Sequence, residues 1–297
     1  MDEPALREIF ESADYVAEDD IVTTVLLALR LGKPLLIEGE PGSGKTELGK
    51  VLAEGFGAEL IRLQCYEGLA AEHALYEWNY AKQLLAVQAG ERGVSAETSV
   101  FEQDYLLERP LLRALTAEGD RPPVLLIDEV DRADEAFEAL LLEVLSDFQV
   151  SIPELGTVAA DRPPVVVITS NRTRALSDAL KRRCLYLHLE PPSFEKERAI
   201  VRRKVPELDG AVADAVCGAT GRLREEPLLK PPGVAETLDW ARALATLRED
   251  GDTNAITDET VRHTLGCLLK EVEDVERLDD ALLADVLEAA EAARADD

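Results

Sequence analysis

Gly39-Glu40-Pro41-Gly42-Ser43-Gly44-Lys45-Thr46 is the stretch on which the reading of this chain turns. It has the form GxxxxGK[ST], in which glycines let successive backbone N–H groups converge on one point while a lysine and a hydroxyl follow at fixed spacing. Converging N–H groups at the start of a helix favour an anion, so the loop is a cradle for phosphate oxygens. Lys45 is spaced to reach β- and γ-phosphates, and the Thr46 hydroxyl to hold Mg²⁺. The flanks agree with this. Pro34-Leu35-Leu36-Ile37-Glu38 is a short buried-strand candidate, and the segment after the loop carries Leu48, Val51 and Leu52 on one helical face. The order strand, glycine loop, helix separates a phosphate loop from an ordinary Gly-rich turn.

Working outward, Ile21, Val22, Val25, Leu26 and Leu29 recur at helical spacing and stop at Gly32. Apolar runs at 60–63, 124–127, 165–169 and 185–189, separated by helical stretches, add four strands to the one before the loop. That alternation predicts a three-layer αβα domain around a five-stranded, mostly parallel sheet. Beyond Pro191-Pro192 no strong strand run appears, and residues 194–205, 211–220, 234–248 and 258–272 read as helices. From Glu273 onward, Leu278, Leu282, Leu283, Val286 and Leu287 suit one last amphipathic helix. The expected organisation is an α/β nucleotide-binding domain over 1–190 and an all-α lid domain over 191–297.

Three further stretches bring chemistry to the loop. Val124-Leu125-Leu126-Ile127-Asp128-Glu129 is an apolar strand delivering two carboxylates at its C-terminal end, where open α/β sheets place their ligands. Asp128 is the candidate Mg²⁺ residue, directly or through water, and Glu129 the candidate that orients and polarises an attacking water. Val165-Val166-Val167-Ile168-Thr169-Ser170-Asn171 ends in an amide able to bond both that water and a γ-phosphate oxygen, although a strand-terminal turn also favours Asn. Ala179-Leu180-Lys181-Arg182-Arg183-Cys184 sets a basic cluster at a helix end. Its cations complement the helix dipole, or present Arg182 or Arg183 to the nucleotide of a neighbouring subunit.

Composition bounds the partners. The 297 residues include 60 Asp and Glu against 32 Lys and Arg, a formal charge of −28, with 46% hydrophobic and 5% aromatic residues. Such a chain has apolar content for a buried core, while its charge repels phosphate backbones and its few aromatics offer little base stacking. General nucleic-acid or anionic-membrane binding is therefore not expected. Acid-rich and Lys-poor composition suits either a salt-adapted, halophilic source or an ordinary acidic protein. Cys65, Cys184, Cys217 and Cys267 form no CxxC pair, so no structural metal is expected. With no basic leader and no membrane-length apolar run, the expected location is cytoplasmic.

Together these motifs resemble an AAA+ ATPase, and more narrowly the MoxR family, closest to the CoxD-like group associated with carbon monoxide dehydrogenase maturation. The narrower likeness rests on Asp128-Glu129-Val130-Asp131-Arg132-Ala133, Pro191-Pro192-Ser193 and Pro231-Pro232-Gly233-Val234-Ala235-Glu236-Thr237-Leu238-Asp239-Trp240-Ala241. It also rests on Val16-Ala17-Glu18-Asp19, where the resemblance implies that Val16 and Ala17 flank adenine; the family's small Gly is Ala17 here. The segment from Arg62 to Tyr80 takes the place of the family's helix insertion, and 149–158 that of a hairpin facing the ring's pore. The resemblance implies ATP and Mg²⁺ as cofactors and Asn171 as sensor. It further implies a finger from Arg182 or Arg183, a hexameric homo-oligomer, and chaperone-like remodelling of a metalloenzyme client with a von Willebrand factor A partner. A lid arginine would fall near Val234 or Ala235, neither of which is basic; Lys230 and Arg242 are the substitutes. Two other functions fit less of the sequence. One is a nucleotide-gated interaction module with negligible turnover. The other is a nucleic-acid-linked ATPase of restriction or clamp-loader type, echoed in Arg183-Cys184 and opposed by the net charge.

Overall fold

The structure, a computed structural model, describes residues 1–90, 102–153, 155–249 and 256–295. Its strands are β1 (Leu35–Gly39), β2 (Leu60–Gln64), β3 (Tyr76–Trp78), β4 (Leu106–Glu108), β5 (Val124–Asp128), β6 (Gln149–Ile152), β7 (Gly156–Ala159), β8 (Val165–Ser170) and β9 (Leu185–Leu189). Five of them form one sheet in the order β2-β5-β8-β1-β9, every neighbouring pair parallel. Strands β1 and β5 are buried along their whole length. This is why they read as unbroken apolar runs rather than as alternation, since helices cover both faces of a parallel sheet.

Register fixes where the chemistry falls. Glu38 lies opposite Ser170 and Gln64 opposite Asp128, so the C-terminal ends of β1, β5, β8 and β2 finish at one edge of the sheet. The packing beneath that edge includes Leu36, Ile61, Leu111, Ile127, Phe137, Leu141 and Ile168. Two small antiparallel pairs stand apart from the sheet. One is β3 with β4, of which β3 falls near the end of the expected insertion, and the other is β6 with β7, the expected hairpin. Glu154 of that hairpin lies outside the described residues.

The chain divides into two compact units. The first comprises 1–13, 17–39 and 45–189, and the second 14–16, 40–44 and 190–297. In the second unit the helices Phe194–Lys204, Gly210–Arg224, Val234–Glu249 and Asp280–Ala295 enclose Val216, Cys217, Leu223, Trp240 and Val286. Asp214 is fully buried there, and Arg198 Nη2 at 2.5 Å and Arg202 Nη2 at 2.6 Å donate to its carboxylate. Burial alone would raise its pKa, but the two guanidiniums outweigh burial and hold it below the usual carboxylate range.

The helix predicted over 258–272 is shorter than the spacing suggests. It runs Asp258–Thr264, passes through a 3₁₀ turn at Leu265–Cys267, and gives way to a separate helix at Val272–Arg277. Thr264 is the reason. Its hydroxyl donates to Thr260 O at 2.6 Å and accepts the buried Trp240 indole N–H at 2.7 Å, and Gly266 follows. A back-bonded threonine and a glycine both weaken the helical ladder. The tail likewise is two helices, because Leu278 leaves helical geometry and Asp279 caps Asp280–Ala295 by accepting the Leu282 amide at 2.9 Å.

All four cysteines are free thiols. Cys65, Cys184 and Cys217 are buried, while Cys267 is half-buried. Burial pushes Cys65 up to about 12, with the nearby charges of Asp128, Asp131 and Glu129 adding to it, and Cys184 up to about 12.

Candidate active site

Asp128 is the hub of the site. It ends β5, is only 2% exposed, and receives donors from three other elements. Thr46, in the first turn of the helix Lys45–Phe56, donates its hydroxyl to Asp128 Oδ1 at 2.9 Å, and Thr169 of β8 donates to the same oxygen at 2.5 Å. Arg62 of β2 grips Oδ2 with Nε at 3.1 Å and Nη2 at 2.5 Å. The phosphate-loop hydroxyl and the strand carboxylate, 82 positions apart, are thus joined directly.

Lys45 is buried and its ammonium donates to Gly39 O at 2.9 Å, across the base of the loop. Gly42 and Gly44 have φ of +82° and +90°, values that require glycine and that turn the intervening amides. Glu40, Pro41 and Ser43 complete the loop, and the Ser43 amide donates to Glu40 O at 3.2 Å.

Glu129 has a left-handed backbone, φ +55° and ψ +49°. A non-glycine residue held there carries strain of about 1–3 kcal/mol, the kind of cost found at functional positions. What holds it is its own amide, which donates to Thr169 Oγ1 at 2.9 Å. Its carboxylate is turned onto Arg132, whose Nη1 donates to Oε2 at 3.0 Å. Thr169 therefore ties the backbone of Glu129 to the carboxylate of Asp128.

Asn171 follows β8 directly. Its amide, at 3.0 Å, and the Thr173 amide, at 2.8 Å, donate to the two oxygens of Asp131, and the Thr173 hydroxyl donates to Asp131 Oδ2 at 2.6 Å. Burial works to raise the Asp131 pKa, but these hydrogen bonds overcome it and hold the carboxyl below its ordinary range. The loop after β5 and the loop after β8 are clamped together by one side chain.

The basic cluster is divided. Lys181 lies 3.9 Å from the buried Glu38, which also accepts the Tyr186 hydroxyl at 3.0 Å. Arg183 donates from Nε to Ser146 Oγ at 2.8 Å, and Arg182 is exposed with no hydrogen bond or ion pair among the described residues. Neither arginine joins the Asp128 cluster of its own chain. Val16 and Ala17 are half-buried in the connection between the helices Glu3–Ser12 and Asp19–Leu31. Lys230 gives its amide to the buried Asp274 at 2.9 Å, and Arg242 pairs with Asp239 at 3.4 Å on its own helix.

The donors suit Mg²⁺. Thr46 and Asp128 offer hard oxygens side by side, and this ion commonly takes one or two protein oxygens together with phosphates and water. Among the described residues no group of three or more His, Cys, Asp or Glu is placed to hold an ion without such help.

Reading the sequence alone misses Arg62, Thr169 and Asp131. The alternation Ile61-Arg62-Leu63-Gln64 does place two polar side chains on one face of a strand, but nothing local says which carboxylate they meet.

A parallel sheet of this order with a phosphate loop after β1 and an acidic pair after β5 defines a P-loop nucleotide-binding protein. The sequence model of the AAA domain (dynein-related subfamily) matches residues 34–184, and the chain belongs to that family of AAA+ ATPases. Membership supports ATP hydrolysis as its activity. A Lon protease of Halothermothrix orenii is 28% identical over 156 residues, 48% of this chain, and the chain spans only 17% of that relative's length. An uncharacterized protein of Staphylococcus haemolyticus, SH1500, is 24% identical over 243 residues, 79% of this chain and 84% of its own length. Among solved structures, the Thermotoga maritima RuvB Holliday junction branch migration motor shares the fold at TM-score 0.50 and 20% identity, over 90% of this chain and 73% of its own.

Proposed function

We propose that this chain binds ATP with Mg²⁺ on residues 39–46 and hydrolyses it in an oligomeric ring, with each site completed by an arginine from the adjacent copy. The observation that carries the reading is the chain of contacts Thr46–Asp128–Thr169–Glu129, which aligns the loop hydroxyl, the metal-binding candidate and the water-orienting candidate on one sheet edge. When bound, Mg²⁺ neutralises charge on the β- and γ-phosphates. Lys45 binds phosphate as a point charge, the Glu129 carboxylate accepts a hydrogen bond from the attacking water once it leaves Arg132, and Asn171 orients the same water. Arg182 and Arg183 are exposed and outside their own Asp128 cluster, which supports a role in trans; such fingers contribute about 10³–10⁵ in rate.

The finer reading is a MoxR-type chaperone, hexameric and cytoplasmic, that remodels a metalloenzyme client with a von Willebrand factor A partner. Its support is the wording of 128–133, 191–193 and 231–241. The charge of −28 supports a halophilic source and weighs against a nucleic-acid motor, and at 20% identity the RuvB likeness speaks for the fold alone. Among the described residues no helix is long and apolar enough to cross a membrane.

Mixing Arg183→Ala subunits with Lys45→Ala subunits tests the shared site. Phosphate release should recover part of the wild-type rate in the mixture while each variant alone is inactive. Absence of recovery at every ratio, for Arg183→Ala and for Arg182→Ala, would place the whole site in one chain. Capture from the host with Glu129→Gln protein held in its ATP state tests the partner: a von Willebrand-type protein supports the MoxR reading, and DNA or replication factors overturn it.

A further inference from the structure

Arg62 stands in an unusual place. The carboxylate expected to serve Mg²⁺ is already occupied on one oxygen by a guanidinium fork, with Nε at 3.1 Å and Nη2 at 2.5 Å. The same Nη2 donates to Gln64 Oε1 at 2.6 Å, so a neighbouring side chain holds the fork in position. The Asp128 side chain is 3% exposed and that of Arg62 48% exposed. The cation therefore reaches inward from the open face of β2 to a buried charge.

A buried carboxylate without a counter-charge is strongly unfavourable, and here one guanidinium relieves it through two donors that converge on a single oxygen, Oδ2. Oδ1 is left to the hydroxyls of Thr46 and Thr169, whereas Oδ2 is taken by Arg62 alone among the described residues. Any second cation at Asp128 meets a carboxylate already half neutralised.

We propose that Arg62 is the resident counter-cation of Asp128 and sets the divalent-ion concentration at which the nucleotide site fills. The inference rests on the nucleotide-site reading above. It makes Arg62 a positioning residue with a competitive character: it keeps the Asp128 carboxylate oriented when no divalent ion is bound, and opposes ion entry by the strength of that pair. The site then accepts the ion together with nucleotide phosphates, which offset the competition, better than the ion alone.

The test is Mn²⁺ binding to the full chain, followed by the electron paramagnetic resonance of free Mn²⁺, at saturating non-hydrolysable ATP analogue. Arg62→Gln should bind Mn²⁺ about tenfold more tightly than wild type, the scale of losing one charged hydrogen-bonded pair. Its melting temperature should fall in EDTA and recover with Mn²⁺ and nucleotide, whereas a merely structural role would lower it equally in both. Equal or weaker Mn²⁺ binding by Arg62→Gln overturns the proposal. Should Arg62→Gln fail to fold, Arg62→Lys decides, since an ammonium keeps the charge but loses the fork: Mn²⁺ binding tightened a few-fold supports the proposal, and unchanged or weaker binding sinks it. Wild-type protein that binds no nucleotide at any metal concentration defeats the site reading itself, a result separable from a wild type that binds nucleotide while Arg62→Gln shows the same metal dependence.

Discussion

The Asp131 carboxylate accepts the backbone amide of Asn171 at 3.0 Å, and through its second oxygen both the amide and the hydroxyl of Thr173. A side chain three positions after Asp128 thereby sets where the loop following β8 begins. Replacing Asp131 with Asn keeps the size but loses charge-assisted acceptance from at least one donor. We expect ATP hydrolysis to fall about tenfold or more while nucleotide affinity stays within about twofold, with a stability loss of about 1–3 kcal/mol by urea unfolding. Unchanged turnover in a destabilised protein would make Asp131 a purely structural clamp.

Glu129→Gln and Lys45→Ala should separate chemistry from binding. The first keeps the hydrogen bond to Arg132 in a weaker form and leaves the phosphate loop intact; it should bind fluorescent ATP normally and release no phosphate above background. The second removes the buried ammonium that spans Gly39 O, and should lose nucleotide binding. Equilibrium titration and phosphate release on the same preparations check both. Turnover persisting in Glu129→Gln would remove that carboxylate from the role of orienting water.

Asp214 gives the acid limb of stability a definite sign. Its folded pKa lies below the unfolded value, so its contribution is complete above the unfolded pKa, near 4, and is lost as pH falls through the folded value. Urea unfolding of wild type and Asp214→Asn should therefore differ by about 3 kcal/mol at neutral pH and converge as the pH falls through the folded value. A gap that stays constant across that range would show that the Arg198 and Arg202 bonds act without regard to charge.

Thr264→Val tests the break in the helix predicted over 258–272. Valine keeps the shape and removes the only described acceptor of the Trp240 indole N–H, which is buried. We expect a loss of about 1–3 kcal/mol in unfolding free energy. No loss would mean that Gly266 alone ends the helix.

The strands of the large sheet were legible because a buried parallel strand must be apolar throughout: runs read at 60–63 and 124–127 end within a residue of β2 and β5. The phosphate loop was legible because its glycines answer a local steric demand, seen in the positive φ of Gly42 and Gly44. Arg62, Thr169 and Asp131 were not, since their partners lie about 40 to 66 positions away along the chain and strand order alone brings them together. Spacing alone extends the helix over 258–272 for the same reason: the acceptor role of Thr264 is invisible without Trp240.

The thiols offer a clock for the site's own opening. With its pKa pushed up to about 12 and its side chain buried beside Asp128, Cys65 presents almost no thiolate to an alkylating reagent while the fold is closed. Half-buried Cys267 is the thiol a maleimide meets first. Slow modification of Cys65 beyond that fast one would time how often the sheet edge around Asp128 exposes itself, and its suppression by nucleotide would report occupancy without any turnover at all.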